Sequence, residues 1–327
     1  MTGLPASQAA DRVEPLWSVI VPTFNCAAYL REALESVLGQ DPGPEAMHIE
    51  VVDDRSTKDD PEAVVREVGR GRVGFWRNSE NLGSTRNFNN CVRRAKGRYV
   101  HILHGDDFVA PGFYRELTRL HEENPEAGLV ASRVMYVDEK GIPNGGISPR
   151  LKSHEKGSRD ARPFYYDVPL QFACVTVKRW AFDKVGPFNE SLIHAADHDM
   201  WSRLVHETGS VVSPYCLASY RVFEANETGR FQRTGENLRD YHRLGLELQK
   251  RHPDFDMRQF MRGRWTVWDW QMQRFRATVD KEAIAANLKV ADEVMPGGEH
   301  QRRFVAAKIS RQVQRRVHDV LHCLLRV

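Results

Sequence analysis

No stretch of this 327-residue chain approaches the roughly 20 consecutive apolar residues that cross a bilayer, so no spanning helix is expected. The five cysteines, Cys26, Cys91, Cys174, Cys216 and Cys323, are scattered, odd in number and nowhere spaced as CxxC. That pattern argues against a disulfide framework or a zinc site and suits free thiols in a reducing cytosol. The first residues lack the basic start and apolar core of a secretory signal, and residues 1–16 read as a disordered leader. A formal net charge of +3 is too small to point to nucleic acid as a partner. No GxGxxG follows the first apolar run, and no GxxxxGK followed by Ser or Thr occurs anywhere. Both a classical dinucleotide fold and a phosphate-binding P-loop are therefore disfavoured.

What is present is a strand–helix alternation. Residues 17–25 are an apolar run ending in Pro22-Thr23-Phe24-Asn25, and Pro22 marks the end of the strand because it cannot donate to a ladder. Residues 27–38 place Tyr29, Leu30, Ala33, Leu34, Val37 and Leu38 at helical spacing. Residues 48–57 form a second strand that terminates on Asp53-Asp54, a helix follows Asp60-Pro61, and residues 73–78 form a third strand. Residues 85–95 read as a helix. Residues 97–107 then run from a turn through Tyr99-Val100-His101-Ile102-Leu103 to His104-Gly105-Asp106-Asp107. This alternation predicts an α/β fold with a mostly parallel, Rossmann-like central sheet flanked by helices. Ligands of such sheets bind beyond the carboxyl ends of the strands, where Pro22–Asn25, Asp53-Asp54 and Asp106-Asp107 all fall. Two adjacent acids at a buried strand end are costly without a cation, and a divalent metal carrying a diphosphate supplies one.

Further along, residues 111–124 read as a helix, 128–137 as a strand, and 138–157, rich in Gly, Pro, Lys and Ser, as a long mobile loop of the kind that serves as a lid. Residues 189–207 carry a second acidic cluster, Asp197-His198-Asp199, ahead of the stripe Trp201, Leu204 and Val205. From residue 237 strand signals vanish and a helical extension to residue 327 is expected. Beyond Gly297-Gly298 one face carries Val305, Ile309, Val313, Val317, Val320, Leu321 and Leu324, and the other carries Arg302, Arg303, Lys308, Arg311, Arg315 and Arg316. Such a helix either packs on the main domain or lies on an anionic membrane surface. It also offers a homodimer surface.

Six of these stretches, in this order and spacing, resemble the inverting nucleotide-sugar glycosyltransferases of family 2, which have the A-type fold. They are Ser18–Asn25, Glu50–Thr57, Asn81–Asn87, Gly97–Asp107, Asp197–Leu204 and Tyr220-Arg221. The resemblance covers residues 17 to about 222 and implies a catalytic domain over 17–236. It implies that Pro22, Thr23, Phe24 and Asn25 touch the nucleotide base and ribose. Asp54 accepts the N3–H of uracil or thymine, a preference suited to an acceptor-only carboxylate. Asp53 supports the loop or the ribose. Asp107 ligates Mg²⁺ or Mn²⁺, with Asp106 on the ribose or the same metal, as hard cations prefer. Asp197 is the general base that deprotonates the acceptor hydroxyl. Its rival Asp199 is read as structural, paired with Arg203 four residues on.

Arg86 and Asn87 contact the donor phosphate or sugar, or else order the helix entry. Three departures from the family pattern stand out. Ala196 precedes the base Asp197 where relatives usually carry a Glu, which bears on the choice of acceptor rather than on the base. His104 occupies a position where relatives often carry an acid, and reads as a neutral loop residue. Phe223 stands where relatives often place a His, so no metal contact is expected there and Arg221 is left to bind phosphate. The implied reaction moves a sugar from a UDP-sugar or dTDP-sugar to a hydroxyl of a glycan, a lipid-linked saccharide or a small acceptor. The expected setting is the cytoplasm or the inner face of its membrane. A nucleotidyltransferase or a non-catalytic binding module on the same fold are the alternatives. The first lacks a glycine-rich basic signature near the first strand, and the joint presence of Asp54, Asp107 and Asp197 argues against the second.

Overall fold

The computed structural model describes residues 14–223 and 226–294. Most of the expected leader, and all of the basic stripe of residues 302–324, lie outside these residues. The described chain divides into two units, residues 1–223 and 224–327.

The first unit is an α/β domain whose elements run β1 (Trp17–Thr23), α1 (Ala27–Leu38), β2 (Met47–Asp53), α2 (Pro61–Gly69), β3 (Gly74–Arg77), α3 (Ser84–Arg94), β4 (Tyr99–Ile102) and β5 (Phe108–Val109). They continue as α4 (Phe113–Glu123), β6 (Leu129–Val137), β7 (Pro143–Ile147), α5 (Arg162–Tyr166), β8 (Val175–Lys178), α6 (Arg179–Val185), α7 (Ala196–Thr208) and β9 (Ser210–Arg221). The sheet order is β3-β2-β1-β4-β8-β6-β9-β5, with β7 added on β6. Every residue of β1 is buried, because the strand pairs in parallel with β2 on one side and β4 on the other. Its near-continuous apolar run is what a strand covered on both faces requires.

Helix α1 buries Leu30, Ala33, Leu34 and Val37, the spacing of one helical face. Asp60 caps α2 by accepting from the Ala63 amide at 3.1 Å, and Pro61 fits the first turn, where its missing N–H costs nothing. The four parallel strands β3, β2, β1 and β4 end on the same side and carry the three polar turns there.

The rest of the sheet is less uniform than the alternation implies. β8 runs antiparallel between β4 and β6, and β6 pairs in parallel with β9. The expected loop of residues 138–157 is partly ordered: Pro143–Ile147 forms β7, antiparallel to β6. Its Asn-Gly-Gly core hides the strand from any alternation pattern.

Two buried histidines, His101 and His121, sit in the core of the domain, and His48 is half-buried. His101 is the clearest: its Nε2–H donates to the Ala173 carbonyl (3.2 Å), its Nδ1 accepts from the Tyr114 hydroxyl (3.1 Å), and its ring stacks on Phe113. Burial pushes His101 down to about 3, and His121 and His48 are lowered for the same reason. The folded state thus resists protonation that the unfolded chain accepts near 6.5. The stability from His101 is complete above pH 6.5 and is lost as the pH falls toward 3. By pH 4.5 the loss from this one group is about 3 kcal/mol, and urea unfolding followed by tryptophan fluorescence at pH 7 and pH 4.5 measures it.

The second unit is helical: α8 (Glu227–Thr234), α9 (Glu236–Arg251), α10 (Met257–Ala277) and α11 (Lys281–Val294). Leu244, Leu248, Phe260, Trp265 and Trp268 form its core. A buried amide network joins the helices. Asn237 donates to Gln271 (3.0 Å), Gln271 to Asn287 (2.8 Å), and Gln271 and Asn287 both to the Gln232 carbonyl. That last link ties α8 to α10 and α11.

Candidate active site

The site is built on three parallel strand ends laid side by side. The amide of Asp54 donates to the Thr23 carbonyl at 2.8 Å, and the amide of Gly105 donates to the Pro22 carbonyl at 3.1 Å. The turns after β2 and β4 thus clasp the end of β1. Gly105 is required there, since a Cβ would lie 2.9 Å from the Cys26 sulfur. Cys26 itself is inert, its thiol pushed up to about 12 by burial and by Asp106.

The turn after β4 brings His104, Asp106 and Asp107 together, with one ligand atom from each lying within 4.8 Å of the others. Asp107 is buried; its Oδ1 accepts from the Arg221 amide at 2.9 Å, while its Oδ2 and the Nε2 of His104 are buried without a hydrogen-bond partner among the described residues. Burial, then the charge of Asp106, raise the Asp107 carboxyl well above the usual carboxylate range, and burial raises Asp106 too. Burial holds His104 neutral, at about 4. Two crowded carboxylates, an orphaned oxygen and an uncharged imidazole fit a divalent cation, which supplies the charge and the bonds that the protein leaves unmade.

Several predicted residues turn out to be committed to the fold. Asp54 is buried. It takes Asn78 Nδ2 (2.9 Å) and the Leu82 amide (2.8 Å) on Oδ1, and the Gly83 amide (2.9 Å) on Oδ2. Its carboxylate shapes the 78–83 loop. Asn87 is also buried; it accepts from Asn78 and donates to the Val52 carbonyl, so it orders the entry of α3. Asp53 supports its turn through Ser56 and an ion pair to Arg77 at 2.6 Å. Among the first four candidates, Pro22 and Thr23 are buried, and Asn25 binds the Thr57 and Lys58 amides through Oδ1 at 2.9 Å each. Asn25 adopts φ +52°, a left-handed conformation that asparagine tolerates well. Phe24 is the one left open, 47% exposed. Arg86 is exposed on the first turn of α3 and pairs with Glu190 at 3.2 Å.

Arg221 is held within the protein. It is 2% exposed, and Nε donates to the Asp106 carbonyl (2.8 Å). One terminal nitrogen donates to the Glu139 carbonyl (2.8 Å), the other to the Glu32 carboxylate, and the guanidinium lies over the Tyr29 ring at 4.9 Å. The Phe223 ring lies 5.1 Å from that of Tyr29. Arg221 pins the acidic turn to β9 and α1. Arg221→Ala is expected to lose about 3 kcal/mol of stability by urea denaturation. A phosphate ligand would instead lose donor affinity with stability unchanged.

Asp199 pairs with Arg203 at 2.9 Å, as its spacing implies. Asp197 sits in the first turn of α7, half-buried, with Oδ1 accepting from the His198 amide. An aromatic chain links this helix to the acidic turn: His104 stacks near Phe172 (4.5 Å), and Phe172 meets Trp201 (5.2 Å), one turn after Asp197. Thr85 and Asn89 of α3 hold the segment before α7 through the Leu192 and Phe188 carbonyls.

Residues 18–184 match the family model described as Glycosyl transferase family 2. The chain belongs to that family. An uncharacterised protein of Mycobacterium tuberculosis is 30% identical over 251 residues, covering 72% of this chain and 76% of its own length. Across three curated relatives the alignments span 65% to 76% of each relative's own length. Among solved structures, S. aureus TarS in complex with UDP-GlcNAc superposes with a TM-score of 0.62 at 18% identity, over 85% of this chain and 80% of that one. Mannosyltransferase PcManGT from Pyrobaculum calidifontis, in complex with GDP-Man and Mn²⁺, gives 0.56 at 16% identity, over 95% and 84%. This family 2 glycosyltransferase has the A-type fold, and no helix among its described residues is long and apolar enough to cross a membrane.

Proposed function

We propose that this glycosyltransferase transfers a sugar from a UDP-sugar or dTDP-sugar to a hydroxyl of a glycan, lipid-linked or small acceptor, with inversion and with metal assistance. The observation that carries the proposal is the orphaned Oδ2 of buried Asp107 beside Asp106 and His104, at a shared strand end. Asp107 and Asp106 would hold Mg²⁺ or Mn²⁺, which when bound neutralises the diphosphate as it leaves. The exposed Phe24 ring offers the nucleotide base a stacking surface. Asp54 acts at one remove, by fixing the 78–83 loop beside the base. Arg86, in the first turn of α3, offers an exposed cation next to that loop. Asp197 takes the proton of the acceptor hydroxyl as its oxygen attacks C1 of the donor, and a single direct displacement inverts that centre.

The TarS complex with UDP-GlcNAc favours a uridine donor, and the PcManGT complex with GDP-Man and Mn²⁺ supports metal use. Incubation with UDP-, dTDP- and GDP-sugars plus Mn²⁺, with nucleoside diphosphate release as the readout, tests this. Turnover of a uridine or thymidine donor above GDP-sugars is expected. No release from any donor would contradict it.

A further inference from the structure

We propose that His104 is itself a metal ligand through a ring nitrogen. With Asp106 and Asp107 it forms a two-carboxylate, one-imidazole set that favours Mn²⁺ and other first-row transition ions over Mg²⁺. This rests on the metal-assisted proposal above and goes beyond it, because two acids alone do not discriminate between these ions.

Three observations carry it. First, the ligand atoms of the three residues lie within 4.8 Å of one another, close to the roughly 4.2 Å that two opposite ligands of a small divalent ion span. Second, His104 Nε2 and Asp107 Oδ2 are both buried and without a hydrogen-bond partner among the described residues. A buried polar atom left unbonded costs about 1–3 kcal/mol, so such atoms are rare unless something absent from the chain completes them. Third, the imidazole is held by its faces. Phe88 stacks on it at 5.2 Å and 13°, and Phe172 lies 4.5 Å away at 32°. Only the ring edge is left for bonding, which is the direction in which an imidazole nitrogen binds a metal.

The selectivity follows from ligand chemistry. Mg²⁺ demands oxygen ligands and gives up water reluctantly, whereas an imidazole nitrogen suits the transition ions. An acid at position 104 would give three carboxylates, a set suited to hard cations and more repulsive to a diphosphate. The histidine exchanges one negative charge for a nitrogen donor. The competing role for His104 is packing alone, a flat ring between two phenylalanines.

The test uses the full chain, stripped with a chelator and titrated with Mn²⁺ in the presence of UDP. Free Mn²⁺ is followed by electron paramagnetic resonance and Mg²⁺ by competition. His104→Phe keeps the aromatic stack and removes the nitrogen; His104→Gln is the second variant. Both are expected to weaken Mn²⁺ by on the order of tenfold or more, while Mg²⁺ affinity moves by less than about threefold. Pulsed resonance of the Mn²⁺-loaded wild type should show a directly bound ¹⁴N, absent in His104→Phe. Unchanged Mn²⁺ affinity in the folded variants, or no ¹⁴N coupling in the wild type, overturns the assignment. The wild-type spectrum decides even if neither variant folds. If Mn²⁺ is lost in Asp107→Asn but retained in the His104 variants, only the histidine is wrongly assigned. If the wild type binds no Mn²⁺ at all, the metal-assisted proposal fails with it.

Discussion

Asp107→Asn is expected to lower sugar transfer by at least about 10³-fold and to leave the fold intact. The amide oxygen can still accept from the Arg221 N–H that Oδ1 accepts from now, so the turn keeps its anchor. What disappears is the charged oxygen with no hydrogen-bond partner among the described residues. Losing roughly 4 kcal/mol of leaving-group stabilisation corresponds to that factor in rate. The same substitution removes a buried charge that lies against Asp106. The metal-free variant should therefore melt at the same temperature as the wild type or higher, because a site built to hold a cation is destabilising without one. Calorimetry of both proteins in chelator, beside single-turnover rates, checks the two halves. A variant with wild-type activity would remove Asp107 from the chemistry.

Asp197→Asn is expected to separate binding from catalysis. Asparagine is nearly the same size and keeps an oxygen for the His198 amide, so the first turn of α7 should survive. It cannot take a proton. Loss of a positioned general base typically costs 10²- to 10⁴-fold in rate, and UDP affinity should change by less than about threefold. Isothermal titration with UDP and Mn²⁺, run beside transfer assays, measures both. Loss of UDP binding would place Asp197 in the donor site instead. Full activity would pass the role to another group.

The parts of the fold that local pattern controls were legible in the sequence. The apolar spacing of Leu30, Ala33, Leu34 and Val37 marks α1, and the unbroken apolar run of Trp17–Thr23 marks the central strand. The Asp199–Arg203 pair is an i,i+4 contact, so spacing alone exposes it. What stayed hidden depends on distant partners. The contact of Arg221 with Glu32, 189 residues away, has no local signature. The bonds by which the 78–83 loop folds back on Asp54 and Asn87 have none either. β7 escaped because Asn-Gly-Gly carries no alternation, and the antiparallel placement of β8 is a tertiary choice that no single strand encodes. His104 read as a neutral loop residue because nothing local shows that Phe88 and Phe172 hold it beside the acids.

The most direct measurement is equilibrium binding of UDP to chelator-stripped protein, with and without Mn²⁺. A cation held by Asp106 and Asp107 should bridge the protein to the diphosphate, so Mn²⁺ should tighten UDP by at least about tenfold, and Asp107→Asn should abolish that gain. UDP binding of equal strength with and without the metal would contradict the metal-assisted site.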